Sequence, residues 1–196
     1  LIGLVGSEMC IRDSSCIEMR NVNINKLRTG IVTVLKGMGA DIEISDIKKV
    51  SNELLGNIKV RYSKLKCADI KGEIIPSLID ELPILFIACA CASGTSKISG
   101  IEELRYKESD RIMAMENGLR AIGINVDSSK DSIEITGGKI IGGKVNSYDD
   151  HRIAMSFAIA GLISQHSLTI MDTQNISTSC PTFVTILREL GVEVFE

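Results

Sequence analysis

Residues 119–126, Leu-Arg-Ala-Ile-Gly-Ile-Asn-Val, carry the pattern that decides the fold. The pattern Leu-[Lys/Arg]-x-[Met/Ile/Leu]-Gly-x-[Asp/Asn/Glu]-[Ile/Val] recurs at residues 35–42 and 187–194. Each copy is typical of the last turn of a helix, a glycine that can adopt the left-handed conformation, and a strand that leaves it. The copies are too far apart for a solenoid. They predict one α/β domain of repeated strand and helix units, with no linker dividing the chain.

Two stretches between these copies are rich in alanine and nearly free of charge, residues 84–93 and 153–164. We predict a helix for each, buried all round because it is apolar all round. Period-two patterns predict strands at residues 16–22, 41–44, 58–62, 95–98, 132–136 and 167–171. The glycine pairs at 137–138 and 142–143 are expected to be turns. Helices on one side of sheets, repeated around central apolar helices, make a sandwich-like α/β domain.

The composition is typical of a soluble globular domain, with 196 residues, 44% hydrophobic and 24% charged. The net charge of −3 argues against a nucleic-acid-binding protein, which would concentrate basic residues on one surface. The longest apolar run, residues 83–92, is about half of the roughly 20 residues that span a bilayer, so no membrane association is predicted.

The six cysteines lack the spacing of zinc ligands and that of a disulfide framework. We therefore expect reduced thiols in a cytoplasmic protein, with Cys89 and Cys91 packed as small hydrophobes. Residues 1–14 have neither the basic start nor the cleavage site of a signal peptide. We expect residues 1–14 to be foreign to the gene or disordered, and residues 15–196 to form the folded lobe.

The densest charged cluster, residues 102–111, leads into a helix that continues through Leu119. It gathers Lys107, Glu108 and Arg111 near the positive end of that helix, where phosphates and carboxylates bind. A capped, solvated helix start with local ion pairs explains the same spacing.

Two more features precede the apolar helices. His151 and Arg152 come directly before the second helix. That helix has no polar face along which their side chains could lie. Asp80 precedes the first helix, where a carboxylate is ordinarily an N-cap but can also serve an adjacent pocket. His166 lies in a polar turn and is expected at the surface.

Five motifs together resemble the C-terminal half of the EPSP synthase (3-phosphoshikimate 1-carboxyvinyltransferase) family. In family order they are LRTG (27–30), PSLIDELPI (76–84), LRYKESDRI (104–112), DHRIAM (150–155) and TSCPTF (178–183). The resemblance covers residues 15–196 and implies one globular lobe of the enolpyruvyl transferase fold, built from repeated βαβαββ units with helices packed inside sheets. UDP-N-acetylglucosamine enolpyruvyl transferase, the alternative, shares that fold but lacks the KESDR and DHRIAM motifs.

The resemblance also implies a reaction. The family transfers the enolpyruvyl group of phosphoenolpyruvate to the 5-hydroxyl of shikimate 3-phosphate and releases phosphate, without a metal or organic cofactor. Carried over by motif, Asp80 resembles the proton acceptor near the reacting hydroxyl, and Glu108 resembles the second acid–base group. Their surroundings would have to separate their pKa values for these opposing roles.

The substrate-binding residues are carried over in the same way. Lys107 resembles a contact to shikimate 3-phosphate, and Arg111 and Arg152 resemble the pair that clamps phosphoenolpyruvate. A guanidinium suits this task because it offers planar, bidentate donors and keeps its charge. His151 resembles a neighbouring hydrogen-bond partner.

The sequence departs from the family in two ways. Thr178 stands where many members have a lysine, and with the E-E-L-R and L-R-T-G motifs this resembles the branch of low glyphosate sensitivity. Cys180 replaces the usual phenylalanine, which predicts a local packing change.

The N-terminal lobe, which supplies most shikimate 3-phosphate contacts in the family, is missing. The chain alone is therefore expected to be inactive, and the full-length protein to be a monomer; a non-catalytic anion-binding scaffold is the alternative from another class.

Overall fold

The computed structural model of the chain describes residues 16–25 and 28–195. Residues 1–14 and the first residue of the LRTG motif lie outside this range. The described strands are β1 (Cys16–Asn23), β2 (Asp41–Val50), β3 (Glu53–Arg61), β4 (Asp69–Ile70), β5 (Thr95–Ser99), β6 (Asn125–Ser128), β7 (Ser132–Thr136), β8 (Gly143–Asn146) and β9 (Leu168–Met171). The α-helices are α1 (Gly30–Gly37), α2 (Leu82–Cys91), α3 (Arg111–Ala121), α4 (His151–Leu162), α5 (Asn175–Ser179) and α6 (Phe183–Glu189). Two 3-10 helices cover Gly72–Ser77 and Glu102–Tyr106.

The strands form three separate sheets. The first has the order β1-β3-β2 and is antiparallel throughout. The second has the order β4-β5-β7-β6, in which only β4 and β5 run parallel. The third is the parallel pair β8-β9. The three sheets follow one another along the chain, as expected for repeated units.

Three helices pack against one another at the centre of the fold, α2, α3 and α4. The side chains of α2 from Leu85 to Ala90 are all fully buried, which confirms that this uncharged segment is enclosed on every side. In α4, Ile153 and Phe157 join the same continuous core. A smaller core joins Met155 and Ile159 to α5 and α6. The prediction of central apolar helices with sheets around them is confirmed.

The repeated pattern has the predicted geometry in its first two copies. Gly39 and Gly123 have φ angles of +97° and +90°, each just past a helix and just before a strand. In the third copy Gly191 has a φ of +85°, but residues 192–195 form no strand. The prediction of a strand there is wrong, because a strand needs a hydrogen-bonding neighbour and the described residues place none beside this segment.

Two further predictions need correction. Gly143 is not part of a simple turn: it begins β8, which pairs with β9 from Gly143 opposite Leu168 onward. The strands predicted at 41–44 and 58–62 are longer, since β2 and β3 form one hairpin closed by Ser51 and Asn52. Both turn residues have positive φ, as a tight hairpin turn requires. No helix in the described part of the chain is long and apolar enough to cross a membrane.

Candidate active site

The site begins with the N-terminus of α4, which Asp150 caps. Its Oδ1 accepts hydrogen bonds from the backbone N–H groups of Arg152 at 2.9 Å and Ile153 at 3.4 Å. Tyr148 and Asp149 precede it with φ angles of +54° and +57°, which turns the chain sharply from β8 into the helix. The DHR motif therefore becomes a helix start with His151 and Arg152 as its first residues.

Asp150 also binds Arg111 at the N-terminus of α3. Arg111 Nε donates to Asp150 Oδ2 at 2.7 Å, and Ser109 Oγ donates to the same oxygen at 3.2 Å. The side chains of Arg111 and Asp150 are 2% and 0% exposed. A buried charge is tolerated only when it is paired and hydrogen-bonded. This pair thus fixes the ends of α3 and α4 to each other.

Asp80 lies on the other side of this arginine. Its carboxylate is 3.6 Å from Arg111 Nη1 and 3.4 Å from Arg152 Nη2, and Arg152 Nη1 also donates to the Asp80 backbone carbonyl at 2.9 Å. Asp80 is not the N-cap of α2; that position belongs to Glu81, whose side chain makes no capping hydrogen bond. The capping explanation for Asp80 is therefore wrong, and its carboxylate faces two arginines instead.

Glu108 completes the group. Its Oε2 is 3.0 Å from His151 Nδ1 and 3.6 Å from Arg111 Nη2. Like Asp80, Glu108 is about half exposed, whereas His151 is mostly buried. The structure thus brings five of the six predicted site residues into one group, in which Arg111 is the buried member.

Lys107 is the sixth predicted residue, and among the described residues its ammonium forms no ion pair with this group. It forms an ion pair with Glu103, one turn earlier in the chain. The side chain of Lys107 is 26% exposed and that of Glu103 is 64% exposed, so the pair is open to water on one side. The position of Lys107 next to Glu108 still places its backbone at the edge of the site.

The nitrogen Arg111 Nη1 is buried and has no hydrogen-bond partner within the described residues. An unsatisfied buried N–H group of this kind costs about 1–3 kcal/mol, more when charged. The Asp80 carboxylate oxygen, 3.6 Å away, is too far for a hydrogen bond. An acceptor oxygen of a bound anion would satisfy this nitrogen.

Glu108, Asp150 and His151 offer ligand atoms within 4.8 Å of one another, a spacing compatible with a metal ion. The Asp150 oxygens are, however, already accepting hydrogen bonds from Arg111, Ser109 and the start of α4. A guanidinium at the centre of the group repels a cation. The donor set suits an anion better than a metal.

Glu81 is a second, differently placed acid beside Asp80. Burial raises its pKa, while the positive charge of Arg152 opposes that rise. Asp80, Glu81 and Arg152 line one wall of a cavity of about 390 Å³, which reaches across to Thr29 at the start of α1. Burial therefore favours the protonated form of Glu81 on this wall of the cavity.

The roles of Asp150 and Ser109 were not predicted from the sequence. Asp150 lies in the DHRIAM motif, and an aspartate directly before an apolar helix signals an N-cap. Its pairing with Arg111, 39 residues away, has no local sequence signal.

Of the other predictions, His166 is exposed and Cys89 is fully buried, both as expected. Cys180 is buried and packs between α4 and α6.

Comparison with known proteins identifies the family of the chain. Residues 9–187 match the sequence model of the EPSP synthase (3-phosphoshikimate 1-carboxyvinyltransferase) family. The chain is 46% identical over 186 residues to the 3-phosphoshikimate 1-carboxyvinyltransferase of Legionella pneumophila, covering 95% of this chain and 43% of that protein. It is 44% identical over 182 residues to that of Acidithiobacillus ferrooxidans, covering 93% of this chain and 42% of that protein.

Solved structures give the same result. EPSP synthase from Acinetobacter baumannii superposes with a TM-score of 0.89 at 38% identity, covering 95% of this chain and 43% of that chain. The enolpyruvyl transferase NikO from Streptomyces tendae superposes at a TM-score of 0.72 with 15% identity, covering 98% of this chain and 43% of that chain, and shows the shared fold. The chain spans less than half the length of the relatives it matches. It belongs to the EPSP synthase family.

Proposed function

We propose that this chain is the C-terminal half of a protein that transfers the enolpyruvyl group of phosphoenolpyruvate to the 5-hydroxyl of shikimate 3-phosphate and releases phosphate. The observation that carries the proposal is the buried Arg111 Nη1, which has no hydrogen-bond partner among the described residues and lies between acids and a second arginine. The carboxylate or phosphate of phosphoenolpyruvate provides the missing acceptor, and Arg152 provides a second cation for the same ligand.

The two half-exposed acids supply proton transfer. In the proposed reaction the enol carbon gains a proton, and the hydroxyl adds to the resulting cationic centre. Phosphate then leaves the tetrahedral intermediate while its methyl group loses a proton, which restores the double bond. Asp80 takes the proton of the reacting hydroxyl. Glu108, whose Oε2 lies 3.0 Å from His151 Nδ1, acts as the second acid–base group. Lys107 contacts shikimate 3-phosphate. To do so, its ammonium must break the ion pair with Glu103.

The test is acceptor-dependent phosphate release by the intact parent protein. We expect release from phosphoenolpyruvate with shikimate 3-phosphate and none with UDP-N-acetylglucosamine. Release with the sugar nucleotide would assign the chain to the other enolpyruvyl transferase. A well-folded parent that releases phosphate with neither acceptor would favour the scaffold interpretation.

The proposal includes the missing lobe. Since the chain spans less than half of its relatives and the site is open on the side of Asp80 and Glu108, the N-terminal lobe of the same protein completes it. The 196-residue chain is then inactive alone, and the full-length protein is a cytoplasmic monomer. Turnover by the purified chain would contradict the first statement, and sedimentation of the parent as a dimer would contradict the monomer.

Low glyphosate sensitivity follows from the same resemblance. Thr178 lies in α5, near Cys180, where many family members have a lysine. With one cation fewer on the phosphate side, the site binds a competing phosphonate less tightly, and it also binds the substrate less tightly. The measurement is an inhibition curve on the parent, compared with its Thr178→Lys variant. Ordinary glyphosate sensitivity of the unmodified parent would contradict the proposal.

A further inference from the structure

The guanidinium of Arg105 holds three separate parts of the fold together. Its Nη1 donates to Asp110 Oδ2 at 2.7 Å, and its Nε donates to the Lys130 carbonyl at 2.8 Å. Its Nη2 donates to the Ser129 carbonyl. The side chains of Arg105 and Asp110 are only 23% and 29% exposed. Three anchors in fixed directions are what the planar guanidinium fork provides and a lysine cannot.

Asp110 is held at the same time by its own helix. While Oδ2 accepts from Arg105, Oδ1 caps α3 by accepting the backbone N–H of Met113 at 2.9 Å. The ion pair between Arg105 and Asp110 therefore closes residues 106–109 into a short loop whose two ends are fixed together. Lys107 and Glu108 lie inside that loop.

The two carbonyl anchors, those of Ser129 and Lys130, belong to one turn. Residues 129–131 connect β6 to β7, the strand that pairs with both β5 and β6 in the second sheet. The turn is closed by a hydrogen bond from Ser129 N to the Ser132 carbonyl at 2.9 Å. Ile101 N also donates to the Asp131 carbonyl at 3.0 Å. The loop with Lys107 and Glu108 is thus tied to the sheet through Arg105.

We infer that Arg105 and Asp110 are positioning residues that hold Lys107 and Glu108 in place for the reaction. The inference rests on the proposed function for its kinetic consequences, although the clamp itself does not. Arg111 is fixed independently by Asp150, and Arg152 by the Asp80 carbonyl. Loss of the clamp should therefore disturb the shikimate 3-phosphate side and the acid–base group more than the phosphoenolpyruvate side.

The experiment uses the intact parent with two clamp variants, Arg105→Lys and Asp110→Asn. Lysine keeps the charge but not the fork, and asparagine keeps the N-cap but not the charge. We expect each to lower kcat/KM for shikimate 3-phosphate by about 10-fold to 100-fold, since small misplacements of catalytic groups have effects of this size. KM for phosphoenolpyruvate should stay within about twofold, and the double variant should be little worse than either single variant, because the two residues act as one unit.

The matched control is Lys130→Ala. It removes the exposed ion pair between Lys130 and Glu102 in the same turn but leaves the carbonyl that binds Arg105. We expect wild-type kinetics from it. An equal rise of KM for both substrates, or wild-type kinetics in Arg105→Lys, would overturn the positioning role.

A second readout separates this inference from the proposed function. If the wild-type parent shows no turnover, the proposed function fails, and amide hydrogen exchange of residues 102–113 then tests the clamp. Faster exchange of these amides in Arg105→Lys than in Lys130→Ala supports it. Equal exchange in the two variants overturns it.

Discussion

Arg111 Nε donates a 2.7 Å hydrogen bond to Asp150 Oδ2, and both side chains are almost closed to solvent. The two residues are 39 positions apart and stand at the N-termini of different helices, α3 and α4. Their pairing fixes a charged guanidinium in advance of any ligand. A site that binds anions by preorganised charge needs this, because the cost of ordering the arginine is met during folding.

Removal of Asp150 should destabilise the fold strongly. Asp150→Ala leaves Arg111 buried without its one hydrogen-bonded and fully buried carboxylate, and it also removes the N-cap of α4. We expect a loss of about 3–5 kcal/mol in the free energy of unfolding, the range for breaking one partner of a buried ion pair. Urea unfolding of the parent protein measures it.

Asp69→Ala is the control, because it breaks an exposed ion pair with Lys71. It should cost no more than about 1 kcal/mol. Similar losses of unfolding free energy in the two variants would show that the buried ion pair stabilises the fold no more than an exposed one.

Two helical glycines should respond oppositely to alanine. A Cβ at Gly118 in α3 would lie 2.1 Å from Cζ of Phe157, a fully buried ring of α4. Gly118→Ala should therefore destabilise by about 1–3 kcal/mol through overpacking. A Cβ at Gly37 in α1 meets no atom within 4 Å, so Gly37→Ala should stabilise by up to about 1 kcal/mol. Thermal unfolding of both variants measures these two effects. A Gly118→Ala variant as stable as the wild type would mean that α3 and α4 are packed more loosely.

Glu81 should make stability depend on pH. Burial raises its pKa, so the folded protein keeps a proton that the unfolded chain has already released. The free energy of unfolding therefore falls as pH rises from the ordinary value of 4.5 through the raised value. Glu81→Gln, which stays neutral, should be more stable than the wild type at pH 7 and show a much smaller advantage near pH 4.

Urea titrations at the two pH values give the measurement. Glu73→Gln, at an exposed position, controls for the loss of one acidic charge. An advantage of Glu81→Gln that is the same at both pH values would contradict the burial argument.

Much of the fold follows from local sequence pattern. The uncharged segment 153–164 had to be largely buried, as it is from Ile153 to Phe157, although residues 161–164 are partly exposed. Glycines such as Gly123 had to end helices. The strand β8 was missed because its sequence, Gly-Lys-Val-Asn, has one buried apolar residue and no alternation. The strand after Gly191 was predicted wrongly because sequence pattern cannot show whether a pairing partner is present.

The candidate site, like the fold, could be predicted only in part from the sequence. The family resemblance of the motifs identified the charged residues, because their spacing alone is equally explained by capped helix starts with local ion pairs. The motifs gave Asp80 two possible roles, and only the three-dimensional arrangement, with Arg111 and Arg152 facing it, separates them. The role of Asp150 and the clamp by Arg105 depend on contacts across 39 and 25 positions, respectively, which no local pattern encodes.

The most direct test of the central claim is phosphate release by the parent protein and its Arg111→Lys variant, with phosphoenolpyruvate and shikimate 3-phosphate. Lysine keeps the positive charge but removes the unpaired Nη1 donor. We predict release that requires both substrates in the wild type, and a loss of about 100-fold or more in kcat/KM in a variant that remains folded. Wild-type turnover by Arg111→Lys would contradict the account, because the buried nitrogen would then have no part in binding the reacting anion.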